Sequence, residues 1–502
     1  MHHTNLPTNG LFRLRDINLV YRALPALRAI DWTVLEGEQW ACLGPNGAGK
    51  TSLAAILSGQ ATHYSGAYLR SRRLREEGVA YVCFERAKAL CERDRKLDNS
   101  EFRADASDPG TTVRAFILSA QRADDDSRHW IERLGIDPVL DRGLRYISTG
   151  EMRKTLLVAA LLTRPALLIL DSPLDGLDRA TQAQMRRVLD ELIASATTVL
   201  LLCRQVEDIP PGISHVLVLE RGTVAACGPR NEVLAQTSVR SLMSPPAAEL
   251  RPLPTPMARP YELPPPDVPL LQLRDVAVSY GDVAVLRHVD WVLPRSTHCC
   301  VSGPNGCGKT TLLSLITGDN HKAYGQDIRL FGLRRGSGES IWDIKQKYGQ
   351  IDTRLHLGFA RGMSALEVVV SGFFDTVGLY DDWGDAQRAH AARWLQSLGL
   401  LDYRTAGFDT LSFGLQRMVL LARAMVKSPL ILLLDEPTLG LDGHHRHLIL
   451  RAIDHIAAHS DTQVIFVSHS AGEMPRCINQ HLRFKPLDEG YTVVCEGAGA
   501  AL

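Results

Sequence analysis

The chain has 502 residues, a length that predicts two domains because a single hydrophobic core rarely grows that large. Apolar residues make up 45% of the chain and charged residues 22%, as in ordinary soluble proteins. Basic and acidic residues each number 56, which argues against a broad nucleic-acid-binding surface, and no apolar segment is long enough to span a bilayer.

The first functional pattern is the glycine-rich stretch GPNGAGKT at 44–51, which follows the strand-like run QWACL and opens an apolar helix. In this strand–loop–helix context the glycines let backbone N–H groups turn inward and cradle phosphate oxygens. The lysine would reach the β- and γ-phosphates, and the hydroxyl of Thr51 would bind Mg²⁺. The predicted nucleotide-binding residues of this loop are Gly44, Asn46, Gly47, Gly49, Lys50, Thr51 and Ser52.

A helix start and a buried strand follow in the first half. The stretch ISTGE at 147–151 precedes a helix-periodic apolar run, and the ordinary interpretation of Ser148 is a helix N-cap. The run LLILDSP at 167–173 fits a buried parallel strand, with Asp171 at the end that faces the phosphates and binds Mg²⁺. Ser172 follows it, and a serine hydroxyl cannot act as a general base at neutral pH. Asp175 is a poor candidate to replace it.

Proline marks the middle of the chain. Ten of the 26 prolines fall between residues 245 and 269. Such a stretch cannot be helical and favours extended geometry. It predicts a semi-rigid linker at 241–269 between a first domain at 1–240 and a second at 270–502.

The second half repeats the first. GPNGCGKT at 303–310 repeats the glycine-rich stretch and ILLLDEP at 431–437 repeats the strand, in the same order and at nearly the same separation, so the domain is duplicated. Asp435 is the predicted Mg²⁺ ligand here, and Glu436, in place of Ser172, would polarise the attacking water. LSFGL at 411–415 matches the first helix start, and both serines precede their aspartate by the same spacing. The predicted nucleotide-binding residues of the second loop are Gly303, Asn305, Gly306, Gly308, Lys309, Thr310 and Thr311, of which Thr310 also binds Mg²⁺.

These motifs resemble those of the ATP-binding-cassette ATPases in both halves. The resemblance implies an α/β fold of two tandem P-loop cassettes, each with a mostly parallel sheet core, an antiparallel β subdomain and a helical signature subdomain. It implies ATP and Mg²⁺ as cofactors and a head-to-tail arrangement, in which each ATP lies between one P-loop and the other cassette's signature. The signature residues that would contact nucleotide are Ser148, Gly150, Ser412 and Gly414.

Further positions follow from the same resemblance. Tyr21 and Tyr280, at the same spacing before their P-loops, would stack on adenine, with a core-packed tyrosine as the alternative. A histidine that contacts the γ-phosphate falls at His469, completing a catalytic set with Lys309 and Glu436. Arg204 stands at the equivalent place in the first half, where its fixed charge would pair with a phosphate oxygen.

One family feature is missing from both halves. The glutamine that links the Mg²⁺ site to transmembrane partners falls at Phe84 or Glu85 in the first half and at Thr353 in the second. Its absence argues against conventional coupling to a transporter.

Two longer stretches, ISTGEMRKTLL and LFGLRRGSGESIWDIK at 330–345, are similar to the ModF group of tandem-cassette proteins. That similarity implies a link to molybdate transport or its regulation. Because Glu436 has only Ser172 as its counterpart, the predicted function is an ATPase that hydrolyses ATP mainly at the second-half site. The alternative is a ribosome-associated ATP-dependent clamp of the translation-factor branch, disfavoured by the short Pro-rich linker and the single glutamate.

Partners and location are predicted from what the chain lacks. Without a span of its own, the chain would depend on a membrane permease or other protein partner if its function involves a membrane, and nucleic acid enters only in the ribosome alternative. The start MHHTNLPTNG lacks the apolar core of a signal peptide, so we expect a self-contained, monomeric pseudo-dimer in the cytoplasm or at the inner face of the membrane. The histidine-rich DGHHRH at 442–447 is interpreted as a solvated helix face rather than a metal site.

Overall fold

A computed structural model of the chain describes residues 6–21, 24–83, 90–94, 110–120, 127–175, 177, 179–243, 250–259, 261–281, 283–352, 359, 362–379, 383–468 and 474–497. They fall into two compact units, residues 1–246 and 247–502.

The first unit is built on two sheets. A six-stranded sheet has the order β5-β6-β7-β3-β8-β9, in which every neighbouring pair is parallel except β8 with β9. A three-stranded antiparallel sheet has the order β2-β1-β4. The strands are β1 (Gly10–Tyr21), β2 (Leu24–Leu35), β3 (Trp40–Leu43), β4 (Ser65–Arg70), β5 (Val79–Val82), β6 (Leu167–Asp171), β7 (Thr198–Cys203), β8 (His215–Glu220) and β9 (Thr223–Pro229).

Helices cover the parallel sheet and form a separate cluster between β5 and β6. The helices of the first unit are α1 (Lys50–Leu57), α2 (Arg72–Glu77), α3 (Val113–Ala120), α4 (Ser127–Leu134), α5 (Thr149–Leu161), α6 (Arg179–Ile193), α7 (Arg230–Ala235) and α8 (Thr237–Met243). Short 3₁₀ turns lie at Asp137–Val139, Leu144–Tyr146 and Val206–Asp208.

The second unit repeats this plan, but its two sheets join. The parallel strands run in the order β18-β12-β17-β16-β15, and the antiparallel strands in the order β14-β13-β10-β11. The two parts meet through β19, where Leu286 pairs with Tyr491. The strands are β10 (Leu271–Tyr280), β11 (Val283–Leu293), β12 (Cys299–Ser302), β13 (Asp327–Leu330), β14 (Leu333–Arg334), β15 (Tyr348–Ile351), β16 (Ile431–Asp435), β17 (Gln463–Val467), β18 (Gln480–Pro486) and β19 (Tyr491–Gly497).

The second unit also has a helical cluster between its β15 and β16. Its helices are α9 (Lys309–Ile316), α10 (Ile341–Lys345), α11 (Ala365–Val370), α12 (Asp385–Ser397), α13 (Phe413–Met425) and α14 (Gly443–His459). The 3₁₀ turns lie at His321–Ala323, Ser371–Phe373, Leu401–Tyr403 and Phe408–Thr410. The expected combination of a parallel core, an antiparallel β subdomain and a helical subdomain is therefore confirmed in each half.

The central strands read as continuous apolar runs because both faces of the sheet are covered. All four apolar residues of β6 and of β16 are buried, and only the terminal aspartates Asp171 and Asp435 are partly exposed. Parallel sheets with helices on both faces require this pattern. The sheet thus delivers one carboxylate in each unit to the carboxyl edge, where ligands bind in such folds.

The duplication is also visible in the backbone, where equivalent positions of the two halves share unusual φ angles. Arg164 and Ser428 have φ of 47° and 53°, and Asp16 and Asp275 have 47° and 48°. Left-handed geometry is uncommon outside glycine. Its recurrence at positions that the duplication makes equivalent means that even strained turns were copied.

The proline-rich stretch lies along the second unit where the structure describes it. The N–H of Arg251 donates to the Ser397 carbonyl (3.0 Å), and the guanidinium Nε of Arg259 donates to the Ser428 carbonyl (2.9 Å). Leu253 packs against the core of the helical cluster. Residues 241–243 of the expected linker belong to α8. The role of 241–269 as a linker stays a prediction.

Candidate nucleotide site

The first glycine-rich loop connects β3 to α1 and curls around a lysine. Gly47 and Gly49 have φ of 78° and 103°, which only glycine adopts without strain. The ammonium of Lys50, 8% exposed, donates to the carbonyls of Gly44 (2.6 Å) and Pro45 (2.9 Å). The loop therefore holds a buried cation at the N-terminus of an eight-residue helix. Both features favour an anionic ligand such as phosphate.

The second loop has the same geometry between β12 and α9. Gly306 and Gly308 have φ of 78° and 99°, and the ammonium of Lys309 donates to the carbonyls of Gly303 (2.9 Å) and Pro304 (2.8 Å). The remaining predicted loop residues lie on the same turns and on the first helical turns, namely Asn46, Ser52, Asn305 and Thr311.

The predicted Mg²⁺ ligands of the first half lie together. The hydroxyl of Thr51 donates to Asp171 Oδ2 (3.3 Å), joining the start of α1 to the end of β6. Both groups offer oxygen, the ligand type that Mg²⁺ prefers, and Mg²⁺ usually takes few protein ligands beside substrate phosphates. In the described ranges no cluster of three or more His, Cys, Asp or Glu side chains is placed to hold a metal ion.

The equivalent residues of the second half line one pocket of about 640 Å³. Thr310 and Asp435 line it together with Gln350 of β15 and Asp352, which follows that strand. Mg²⁺ bound at either edge would neutralise charge on the phosphates.

The residue after each aspartate has the same backbone and a different side chain. Ser172 and Glu436 have φ of 47° and 50°, and each N–H donates to the neighbouring strand at 3.1 Å, to Leu202 and Val467 respectively. The two halves thus differ in chemistry at this position and not in main-chain geometry. A carboxylate is present where the second-half water would be activated, and a hydroxyl is present in the first half.

An arginine on the signature helix stabilises this turn. Arg153 Nη1 donates to the Ser172 carbonyl (2.9 Å). Its counterpart Arg417 is 1% exposed, and burial lowers the pKa of its guanidinium to about 10, against the opposing pull of the carboxylates of Asp352, Glu436 and Asp435. Neither arginine is among the residues predicted from the sequence, although each stands at the same distance after its signature serine, and that shared spacing is the signal that could have identified them.

Arg204 has a partner within the first unit. Its guanidinium forms an ion pair with Asp175, and both side chains are about a quarter exposed. The charge that was expected to meet a phosphate oxygen is therefore already balanced by a carboxylate. The same pair keeps Asp175 occupied, which strengthens the view that it does not replace the missing glutamate.

The two signature helices begin differently. Ser148 accepts from the N–H of Glu151 (3.2 Å), whose carboxylate accepts from the N–H of Ser148 (2.7 Å), so a complete capping box starts α5. At the start of α13, Ser412 accepts from the N–H of Leu415 (3.3 Å), whose apolar side chain cannot complete such a box. Both serines therefore cap their helices, and their contact with nucleotide stays a prediction.

The signature glycines also differ in their surroundings. A β-carbon on Gly150 would lie 3.6 Å from Leu177 and Thr181, but one on Gly414 would overlap the ring of His445. His445 Nδ1 lies 2.9 Å from Asp442 Oδ1, and its side chain is mostly buried. The expectation of a solvated face for the whole DGHHRH stretch is therefore wrong at His445, because Asp442 caps α14 and draws the ring inward.

The expected adenine-stacking tyrosines are exposed at the ends of β1 and β10. Tyr21 is 49% exposed and Tyr280 is 46% exposed, so neither ring is packed in a core. Asn320 Nδ2 donates to the Tyr280 hydroxyl (2.8 Å) and orients that ring. The predicted positions His469, Phe84, Glu85 and Thr353 lie outside the described residues.

The stretch 330–345, singled out by its sequence, is a structural element. Arg335 is 5% exposed, bonds Glu339 (2.9 Å), and stacks its guanidinium 5.0 Å from the Tyr324 ring. Glu339 also accepts from the N–H of Gly336 (2.7 Å), and these donors lower the pKa of its carboxyl to about 2 against the opposing effect of burial. The charged residues of the motif therefore brace a turn before α10.

Comparisons with known proteins agree with this geometry. The ABC transporter family model matches residues 27–175 and 286–439. The chain is 38% identical over 483 residues to the ABC transporter ATP-binding protein ModF of Escherichia coli (strain K12), covering 95% of this chain and 96% of the relative. It is 26% identical over 489 residues to an uncharacterized ABC transporter ATP-binding protein of Schizosaccharomyces pombe, covering 94% and 96%.

A solved structure shares the fold. The archaeal ribosome recycling factor aABCE1, in complex with a ribosomal stalk protein, matches with a TM-score of 0.57 and 18% identity over 96% of this chain and 90% of that one. No helix in the described part of the chain combines the length and apolar character needed to cross a membrane. With two matched cassettes and a near-full-length relative, the chain belongs to the ATP-binding-cassette family, as a tandem ATPase with both cassettes in one polypeptide.

Proposed function

We propose that this tandem ATPase hydrolyses ATP mainly at the second-half site and holds ATP at the first. The observation that carries the proposal is the identical left-handed turn after each aspartate, with Glu436 in one half and Ser172 in the other. Loss of a general base typically slows such a reaction by ~10²–10⁴-fold, whereas phosphate and Mg²⁺ contacts persist.

Each site contains groups from both halves in this proposal. The hydrolytic site combines the loop at 303–310, Asp435, Glu436 and His469 with the signature at 148–151. The holding site combines the loop at 44–51 and Asp171 with the signature at 412–415. The ion pair of Arg204 with Asp175 supports the slower role of the first half, because it removes a second carboxylate from service as a base.

Each residue of the second-half site has a separate role in turnover. Lys309 and the loop N–H groups would hold the β- and γ-phosphates, and Thr310 and Asp435 would supply oxygen ligands for Mg²⁺, which neutralises phosphate charge when bound. Glu436 orients and deprotonates the attacking water. In the first half the loop at 44–51 binds ATP, but the side chain at Ser172 accepts no proton. The bound ATP is therefore hydrolysed slowly and keeps the cassettes closed.

Paired variants test this assignment. Glu436→Gln should lower steady-state ATP turnover by at least ~10²-fold and trap two ATP per chain, while Ser172→Ala should leave turnover within about twofold. Lys309→Ala and Lys50→Ala complete the comparison, with ATP binding measured on each. Substantial turnover by the Glu436→Gln protein, or an equal loss of turnover in Lys50→Ala and Lys309→Ala while ATP binding is otherwise intact, would show that the first half is catalytic.

We also propose that the ATPase serves molybdate transport or its regulation. The support is the resemblance to the ModF group and the 38% identity to ModF of Escherichia coli over nearly the whole chain. The ribosome-associated alternative has only a shared fold at 18% identity, which carries no functional argument. ATP turnover with and without molybdate, using sulfate as the control oxyanion, tests a direct link. Co-purification from membranes identifies a permease partner.

A further inference from the structure

The carboxylate predicted to bind Mg²⁺ in the first half has a neighbour that no motif identified. The hydroxyl of Tyr81, on β5, donates a hydrogen bond to Asp171 Oδ2, with an oxygen–oxygen distance of 3.1 Å. The same oxygen accepts from the hydroxyl of Thr51 (3.3 Å), and Ser172 Oγ lies 3.4 Å from Oδ1. Both carboxylate oxygens are thus engaged by hydroxyl groups of the protein.

The tyrosine hydroxyl stays a proton donor in this position. Tyr81 is 8% exposed, and the carboxylate oxygen that its hydroxyl contacts can only accept, so the phenol is the donor of this hydrogen bond. A neutral donor draws electron density from the carboxylate, and an oxygen that already accepts two hydrogen bonds has less to offer a cation.

The second half has different chemistry at the same place in the sheet. Tyr81 pairs with Ile169, two residues before Asp171, and Gln350 pairs with Leu433, two residues before Asp435. Gln350 lines the pocket that holds Thr310 and Asp435. The strand register makes the two positions equivalent. The first half therefore has the phenol of Tyr81 beside its aspartate, and the second half has the amide of Gln350 in the pocket of its aspartate.

We propose that Tyr81 is a positioning residue of the first site that holds Asp171 against Thr51 and weakens the coupling between Mg²⁺ and ATP there. This inference rests on the proposed role of the first half as a nucleotide-holding site. Mg²⁺ neutralises charge that develops on the transferring phosphoryl group, so weaker metal coupling slows turnover. The loop N–H groups and Lys50 still retain the nucleotide. The missing base and the added phenol therefore act in the same direction.

The test measures the metal dependence of ATP binding in the full-length chain. Lys309→Ala confines high-affinity binding to the first half, and a fluorescent ATP analogue reports Kd in EDTA and in saturating Mg²⁺. The Kd in EDTA divided by the Kd in Mg²⁺ measures the metal–nucleotide coupling, so a larger ratio means stronger coupling. Tyr81→Phe should raise this ratio about tenfold and leave Kd in EDTA within about twofold, because only the competing donor is removed.

The matched control is Tyr68→Phe. Tyr68 is a half-buried tyrosine of the same unit whose hydroxyl donates to the Leu57 carbonyl (3.3 Å), away from Asp171, so its loss should leave the ratio unchanged. A ratio that stays constant or falls in Tyr81→Phe, or that rises equally in Tyr68→Phe, overturns the inference while the holding site stands. If the Lys309→Ala chain binds no ATP at all, the holding site itself is wrong, and this inference fails with it.

Discussion

Substituting alanine for the signature glycine should destabilise the second half and leave the first half unharmed. The added β-carbon of Gly414→Ala would overlap the His445 ring and lie 2.7 Å from its Cβ. The ring cannot swing aside without loss, because Asp442, 2% exposed, accepts from the His445 N–H at 2.9 Å and lies 2.9 Å from its Nδ1. In the first half, Gly150→Ala meets only ordinary contacts at 3.6 Å.

The magnitude follows from these contacts. Overpacking a filled site typically costs ~1–3 kcal/mol, and breaking a hydrogen bond to a buried charged group costs a similar amount. Alanine in a helix gains about 0.5–1 kcal/mol over glycine where nothing obstructs it. We therefore expect Gly414→Ala to destabilise the second unit by about 2 kcal/mol and Gly150→Ala to be neutral or slightly stabilising.

Hydrogen exchange read by mass spectrometry resolves the two helices in one experiment. Peptides from Phe413–Met425 should exchange roughly 30-fold faster in Gly414→Ala, as the expected free-energy loss dictates, while those from Thr149–Leu161 should not accelerate in Gly150→Ala. The double variant Gly414→Ala/His445→Ala should recover most of the protection, since the obstructing ring is gone. Equal effects of the two glycine substitutions, or no recovery in the double variant, would refute the packing argument.

Three further predictions concern stability. Burial and the cation of a neighbouring arginine lower the pKa of His390 to about 4, so the unfolded chain binds the extra proton first as pH falls. The second unit should lose on the order of 2 kcal/mol between pH 6.5 and pH 4, and His390→Gln should flatten that slope in a urea titration. Glu339→Ala leaves the nearly buried Arg335 without its carboxylate and should cost ~3–5 kcal/mol in chemical unfolding, whereas the double variant Glu339→Leu/Arg335→Met should cost much less. A double-mutant cycle on Arg204 and Asp175 should return about 1 kcal/mol of coupling that declines with added salt, since the pair is partly exposed.

Short motifs at fixed spacing determined most of the architecture from the sequence alone. A glycine-rich turn, a buried apolar strand ending in aspartate and a capped helix each have local physical causes, so their order identifies the fold wherever it recurs. The near-constant separation between matching motifs established the duplication, and the pair Ser172 and Glu436 established the chemical difference between the halves.

The contacts that modify each site were decided only by the tertiary structure. Tyr81 reaches Asp171, far away along the chain, because β5 and β6 pair in one particular register. His445 covers Gly414 because α14 begins beside the start of α13, and its sequence indicates only a polar helix face. Neither contact leaves a recognisable pattern in the sequence. Its energy depends on side chains that strand pairing and helix packing bring together, not on neighbours along the chain.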